Sequence, residues 1–188
     1  MKSIEEYQFQ IVAFSPNEAR PSPNDILKIF LNQFVHKITA ESVHAISCEF
    51  SMSISKRGKI MMISIPDITR TYDGLTDVDF YFLFVHLQND NAQKDFELIC
   101  SYMQKNCDLN KKIYVFGIVK DNFIEKIMNK DNIKKILEEK NMIFKYYEIN
   151  LNDEKKIGDI ILNILLAFSQ KRENEANIGQ QAHSCVFF

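Results

Sequence analysis

The chain has 188 residues, 46% of them hydrophobic, which is enough to bury the core of one domain. Its 23 basic and 25 acidic residues are spread along the sequence and leave a formal net charge of −2, so no basic field offers itself to nucleic acid, and no apolar run is long enough to span a bilayer. The first residues lack the pattern of a secretory leader, so a protein made and kept in the cytosol is expected, and Cys48, Cys100, Cys107 and Cys185 show neither C-x-x-C spacing nor a histidine cluster, which argues against zinc or a disulfide framework.

The first expected strand is QFQIVAF (8–14). A polar, proline-rich loop follows, and SPNDILKIF reads as a helix start. Ser22 is the N-cap, Pro23 takes the first helical position and Asp25 closes a capping box, with Ile26, Ile29, Phe30 and Phe34 on one apolar face. AISCEFSMSI (45–54) alternates, as an edge strand does, and the short SKRG connection joins it to KIMMISI (59–65) as an antiparallel hairpin. DFYFLFVHL (79–87) and KKIYVFGIV (111–119) are nearly continuous apolar runs, the mark of central strands covered on both faces. Between them Phe96, Ile99, Cys100 and Met103 mark a helix, and Ile133, Ile136 and Leu137 mark another before the strand MIFKYYEI (142–149). Ile157, Ile160, Ile161, Ile164, Leu165 and Phe168 line the last helix. From Ser169 the composition turns polar, so a flexible tail is expected over 169–188. The order β-α-β-β-β-α-β-α-β-α implies one α/β domain over 1–168, a doubly wound, mostly parallel six-stranded sheet with one antiparallel edge hairpin strand.

This order of elements, with a hairpin after the first helix, resembles the Ras-like small GTPases over roughly residues 7 to 168. The resemblance lies in the positions of the motifs rather than in their letters. The family's first strand leads into a glycine-rich loop ending in Gly-Lys-Ser/Thr; here that loop is SPNEARPSPN, with no glycine, no lysine and three prolines, and no glycine precedes Gly58. A phosphate cradle needs successive backbone N–H groups in conformations glycine tolerates, and proline removes donors. Asp67 aligns with the aspartate that holds magnesium through water, but Arg70 occupies the place of its paired glycine. Asp121 aligns with the guanine-reading aspartate, with Ile118 and Val119 where asparagine and lysine belong. The turn EINLND lacks the Ser-Ala-Lys of the family. The resemblance leaves Asp67, Asp121, Thr39 (as the switch threonine) and Ser22 as residual nucleotide-site positions, with Lys28 or Arg20 as displaced phosphate ligands. His36, His44, His86 and His183 are scattered, and His86, closing an apolar strand, reads as a satisfied structural histidine. No catalytic residue and no metal is expected.

The chain ends HSCVFF, and Cys185-Val186-Phe187-Phe188 fits a C-a-a-X prenylation signal behind a polar lead-in; the final phenylalanine favours geranylgeranyl transfer. Lys171 and Arg172 are balanced by Glu173 and Glu175, so a single lipid without a polybasic patch implies reversible membrane association. The function expected is a catalytically inactive small-GTPase-like protein without cofactor, prenylated at Cys185 on the cytosolic face of a membrane. It would bind protein partners through surfaces at 36–44 and 66–77 and would not bind nucleic acid. The first alternative is a divergent GTPase that binds GTP or GDP with magnesium and acts as a switch. The second is a constitutive subunit of a larger complex.

Overall fold

The computed structural model describes residues 5–16, 20–65, 67–70, 72, 75–120 and 124–184, with side chains up to 175. Its elements are β1 (Glu5–Phe14), α1 (Pro23–Leu31), β2 (His36–Ser42), β3 (Ala45–Ser51), β4 (Lys56–Ile65), β5 (Phe80–His86), α2 (Ala92–Asn106), β6 (Lys112–Val119), α3 (Lys130–Glu139), β7 (Phe144–Asn150) and α4 (Glu154–Ser184). The seven strands lie in the order β2-β3-β4-β1-β5-β6-β7. β4, β1, β5, β6 and β7 run parallel, while β3 is antiparallel to both β4 and β2. The architecture is α/β with a mixed, mostly parallel sheet.

The core follows from the apolar pattern. Every residue of β5 is buried, and the same holds for β6 after Lys112, as continuous apolar runs require of central strands. One face of the sheet carries Phe9, Ile11, Phe80, Phe82, Phe84 and Phe116 against the apolar stripes of α1 and α4. The other carries Val12, Tyr81, Leu83, Val85 and Val115 against α2 and α3. Phe82 sits in the middle of the aromatic layer, with ring centroids 5.4 Å from Phe80, 5.0 Å from Phe116 and 6.1 Å from Tyr114. Gly58 of β4 lies under the Phe50 ring; a Cβ there would stand 2.5 Å from Phe50 Cε1, so the strand needs the missing side chain.

Three details differ from the sequence expectation. The sheet has seven strands instead of six, because His36–Ser42 pairs with β3 as an outer edge strand. All seven of its residues are exposed, so HKITAES carries no apolar alternation to announce a strand; a polar, bulged edge is also how a sheet avoids pairing with strangers. α1 stops at Leu31, which leaves Phe34 outside the helix, although its ring still packs 4.9 Å from Phe30 and 5.9 Å from Phe50. Finally, the stretch from Ser169, expected as a flexible tail, continues α4 as helix to Ser184. Polar composition misled here because the helix is anchored by charge. Arg172 Nη1 donates to the Gln8 carbonyl at 3.0 Å and Nη2 meets Asp79 Oδ1 at 2.5 Å, while Glu173 meets Lys56 at 2.8 Å and also accepts from the Tyr7 hydroxyl.

Candidate functional site

The chain builds β1 to β4 on one side and crosses after β4 to lay β5, β6 and β7 on the other. Loops leaving the carboxyl ends of β1 and β5 therefore diverge to opposite faces and leave a crevice, the usual ligand position in an open α/β sheet. Among the described residues this crevice is a cleft of about 410 Å³ lined by Arg20, His86, Gln88, Asn89, Asp90, Ile118 and Lys120.

Local hydrogen bonds set its walls. The Gln88 side chain accepts from Lys120 N–H at 2.9 Å and donates to the Ile124 carbonyl at 2.8 Å, which ties the segment after β6 to the segment after β5. Leu87 N–H donates to Ile118 at 3.0 Å, and the Leu87 carbonyl accepts from Ile127 and Met128. Asn89 N–H closes a turn on the His86 carbonyl. His86 is only 6% exposed, and its Nε2 has no hydrogen-bond partner among the described residues. Burial, helped by the Lys120 charge, pushes its pKa down to about 4, so the ring is neutral at physiological pH. The expectation of a satisfied structural histidine is thus corrected. His86 is structural in its burial, yet its Nε2 is sealed from solvent without a hydrogen-bond partner among the described residues.

Of the described residues marked by the resemblance, Ser22, Asp67, Thr39 and Lys28 lie away from this cleft. Ser22 caps α1: Asp25 N–H donates to its Oγ at 3.3 Å, and its own N–H and hydroxyl donate to Asp25 Oδ2 at 2.8 and 2.7 Å. Asn24, buried in the same first turn, reaches the Ser42 carbonyl at 3.1 Å and accepts from Ser64 Oγ at 3.3 Å, which fastens the helix start to the sheet. Asp67 is occupied in its own turn. The Thr69 hydroxyl and N–H donate to Oδ1 at 2.6 and 2.9 Å, Arg70 Nε lies 3.2 Å from Oδ2, and these bonds from Thr69 first, then Arg70, hold its pKa below the usual range. Thr39 donates to Ser47 Oγ at 3.0 Å on the exposed edge strand. Three strand spacings, about 14 Å, separate that strand from β1. Lys28 pairs with Glu41 at 2.5 Å, linking α1 to β2. Asp121 and Cys185 lie outside the described residues.

Arg20 does line the crevice, whereas Lys120 was not singled out by sequence. The only signal for Lys120 was a cation directly after a fully apolar strand, and which neighbour that strand would have was not readable. A second cleft, about 570 Å³, runs between Ser15 and Pro16, the turn at Ile68 to Arg70, and Leu98 and Tyr102 of α2. Among the described residues no three His, Cys, Asp or Glu side chains are placed to hold a metal ion, and no helix is long and apolar enough to cross a membrane. In comparisons with known proteins, no family model matches the chain and no curated protein matches it.

Proposed function

We propose that the chain is a small-GTPase-like domain that does not run a guanine-nucleotide cycle and works as a protein-interaction module, brought to the cytosolic face of a membrane by a prenyl group on Cys185. The observation that carries this reading is the β1–α1 connection: Ser22 and Asp25 are used up in a capping box, Pro23 fills the first helical position, and Asn24 is bonded to β2 and β4. A triphosphate with magnesium draws much of its binding from backbone donors and a lysine at this place. Neither is supplied by these residues. The strand order is compatible with such a domain carrying one added edge strand.

Partner binding is supported by the exposed apolar side chains around the hairpin. Val35 and Val43 flank β2 at 83% and 82% exposure, and Met61 and Ile63 stand on the outer face of β4. The parts of 66–77 that are described border the second cleft through Ile68 and Arg70.

Nucleotide content tests the reading. Protein purified gently without added nucleotide, then denatured in acid and resolved by anion exchange, is expected to release no stoichiometric nucleotide. One equivalent of GDP or GTP would overturn the proposal in favour of a divergent switch.

A further inference from the structure

α4 gives the molecule a direction. Along its course Phe168 packs 6.3 Å from the Phe9 ring, Arg172 reaches the Gln8 carbonyl, and Glu173 meets Tyr7 and Lys56, so the helix runs antiparallel to β1 and toward its amino end. It continues from Glu173 to Ser184, about 16 Å further at the rise of an α-helix. At that same end the β3–β4 hairpin turns over. Met52 N–H and Ser53 N–H close it on the Lys56 carbonyl at 2.9 and 3.2 Å, and Glu5 N–H donates to the Ser55 carbonyl at 2.9 Å. Ile54 stands at the tip, about 7 Å along the chain beyond Lys56, and is fully exposed. Val35, whose carbonyl accepts from Ser51 N–H at 3.0 Å, adds a second exposed aliphatic side chain beside the hairpin. The end of α4 and the hairpin tip therefore project from one side of the molecule. A turn needs small or polar residues, so an isoleucine at its tip serves nothing inside the fold.

We propose that the β3–β4 hairpin tip is a membrane-facing surface, with Ile54 and Val35 entering the interfacial layer of a bilayer beside the lipid on Cys185. The inference deepens the reading of the chain as a lipidated module and rests on it for the lipid alone. A single prenyl chain holds a protein only reversibly, and the balanced charges around Lys171 and Arg172 give it no polybasic help. An aliphatic tip on the same side supplies the second contact, and once the lipid is inserted that contact forms within one already tethered molecule. Charge is not the attraction. Glu5 pairs in register with Lys56, Glu6 with Arg57 and Glu49 with Lys59, so the cations at this end are balanced and neutral lipid suffices. A projecting tip also fits a fluid surface better than a partner protein, which is more often bound in a groove. The Glu173–Lys56 and Arg172–Asp79 pairs fix α4 to the strands that carry the hairpin, so helix and tip keep one orientation.

The chain contains no tryptophan, so Ile54→Trp and Val43→Trp each introduce a single fluorophore, one at the hairpin tip and one at the equally open β2–β3 turn at the opposite end of the strands. The full chain is treated with a geranylgeranyltransferase, and mass spectrometry reports whether Cys185 takes the lipid, which tests that reading by itself. The docking surface is tested separately on the full chain tethered to phosphatidylcholine vesicles through a histidine tag after Phe188 and a nickel-chelating lipid. On the vesicles Ile54→Trp is expected to show blue-shifted emission and quenching by brominated acyl chains, and Val43→Trp neither. At low nickel-lipid content Ile54→Glu is expected to weaken vesicle binding about tenfold without moving the Tm, while Ile54→Leu binds as the parent does. The proposal falls if Ile54→Trp emits on vesicles as it does in buffer, if Val43→Trp is quenched as strongly, or if Ile54→Glu binds as the parent does. Insertion of the tip in a chain whose Cys185 takes no lipid supports the membrane-facing surface and overturns only the prenylation reading.

Discussion

His86 shows how a single side chain ties stability to pH. Its folded pKa lies at about 4, below the ordinary 6.5, with burial as the main cause and Lys120 second. Among the described residues Lys120 is the charge that acts on it, while Arg20 and Asp90 line the same cleft. Because the folded value is depressed, the unfolded chain takes up a proton below pH 6.5 while the folded protein does not. The stability from a neutral His86 is therefore complete above pH 6.5 and falls as pH drops toward 4. Between pH 7 and pH 5 that loss is about 2 kcal/mol. Urea unfolding at the two pH values should show the parent losing about that much more than His86→Phe; equal losses would mean that the ring is solvated.

At the level of elements, α4 is held in two different ways. Its first half presents Ile157, Ile161, Ile164 and Leu165 to the core, which is ordinary amphipathic packing. Its next turns are polar but are bound at the amino-terminal edge of β1 and β4 by Arg172 and Glu173, with the Arg172 guanidinium also 4.8 Å from the Phe168 ring. Arg172→Ala removes two hydrogen bonds and leaves Asp79, whose side chain is 13% exposed, with the Gln10 N–H at 2.8 Å as its one partner among the described residues. A cost of about 1–2 kcal/mol is expected. Amide exchange should quicken from Ser169 to Glu175 while the exchange of β5 stays slow. The hairpin element behaves in the opposite sense. β2 is exposed throughout and depends on β3 for its form, so its pairing, with a bulge between Ile38 and Ala40, belongs to the sheet and not to local preference.

For the whole molecule, the two helical layers cover the sheet unequally. α2 and α3 pack over β5 and β6 and reach only the end of β1, so the same face of β3 and β4 carries the partly exposed Met61 and Ile63. The stable part of the protein is centred on β5, where Phe82 is 1% exposed among Phe80, Phe84, Tyr114 and Phe116. Phe82→Ala is expected to cost about 3–5 kcal/mol through lost burial and the cavity left behind, against a total of about 5–15 kcal/mol for a domain. Phe82→Leu, nearer in volume, should cost less than about 2 kcal/mol. Urea midpoints of the two variants check the difference, and similar midpoints would place the centre of the core elsewhere.

What could be read in advance and what could not divide along the range of the forces involved. The Ser22–Asp25 cap is a contact between residues three apart, so the letters alone announce it. The central position of β5 and β6 is equally legible, because a strand covered on both faces must be apolar at nearly every position. Likewise, the departure of this loop from a glycine-rich phosphate cradle, with no glycine and three prolines that each lack an N–H donor, is visible in the letters alone. The strand at His36–Ser42, the helical turns around Arg172 and the crevice itself each depend on partners far away in the chain. Burial of His86 follows from its place at the end of an apolar strand, but the absence of a partner for Nε2 depends on which loops cross above it. That Arg20, His86 and Lys120 border one cleft was decided only when the sheet placed β1, β5 and β6 side by side. Local sequence sets hydrophobic burial and caps; the meeting of distant charges is set by strand order, which short-range patterns do not encode.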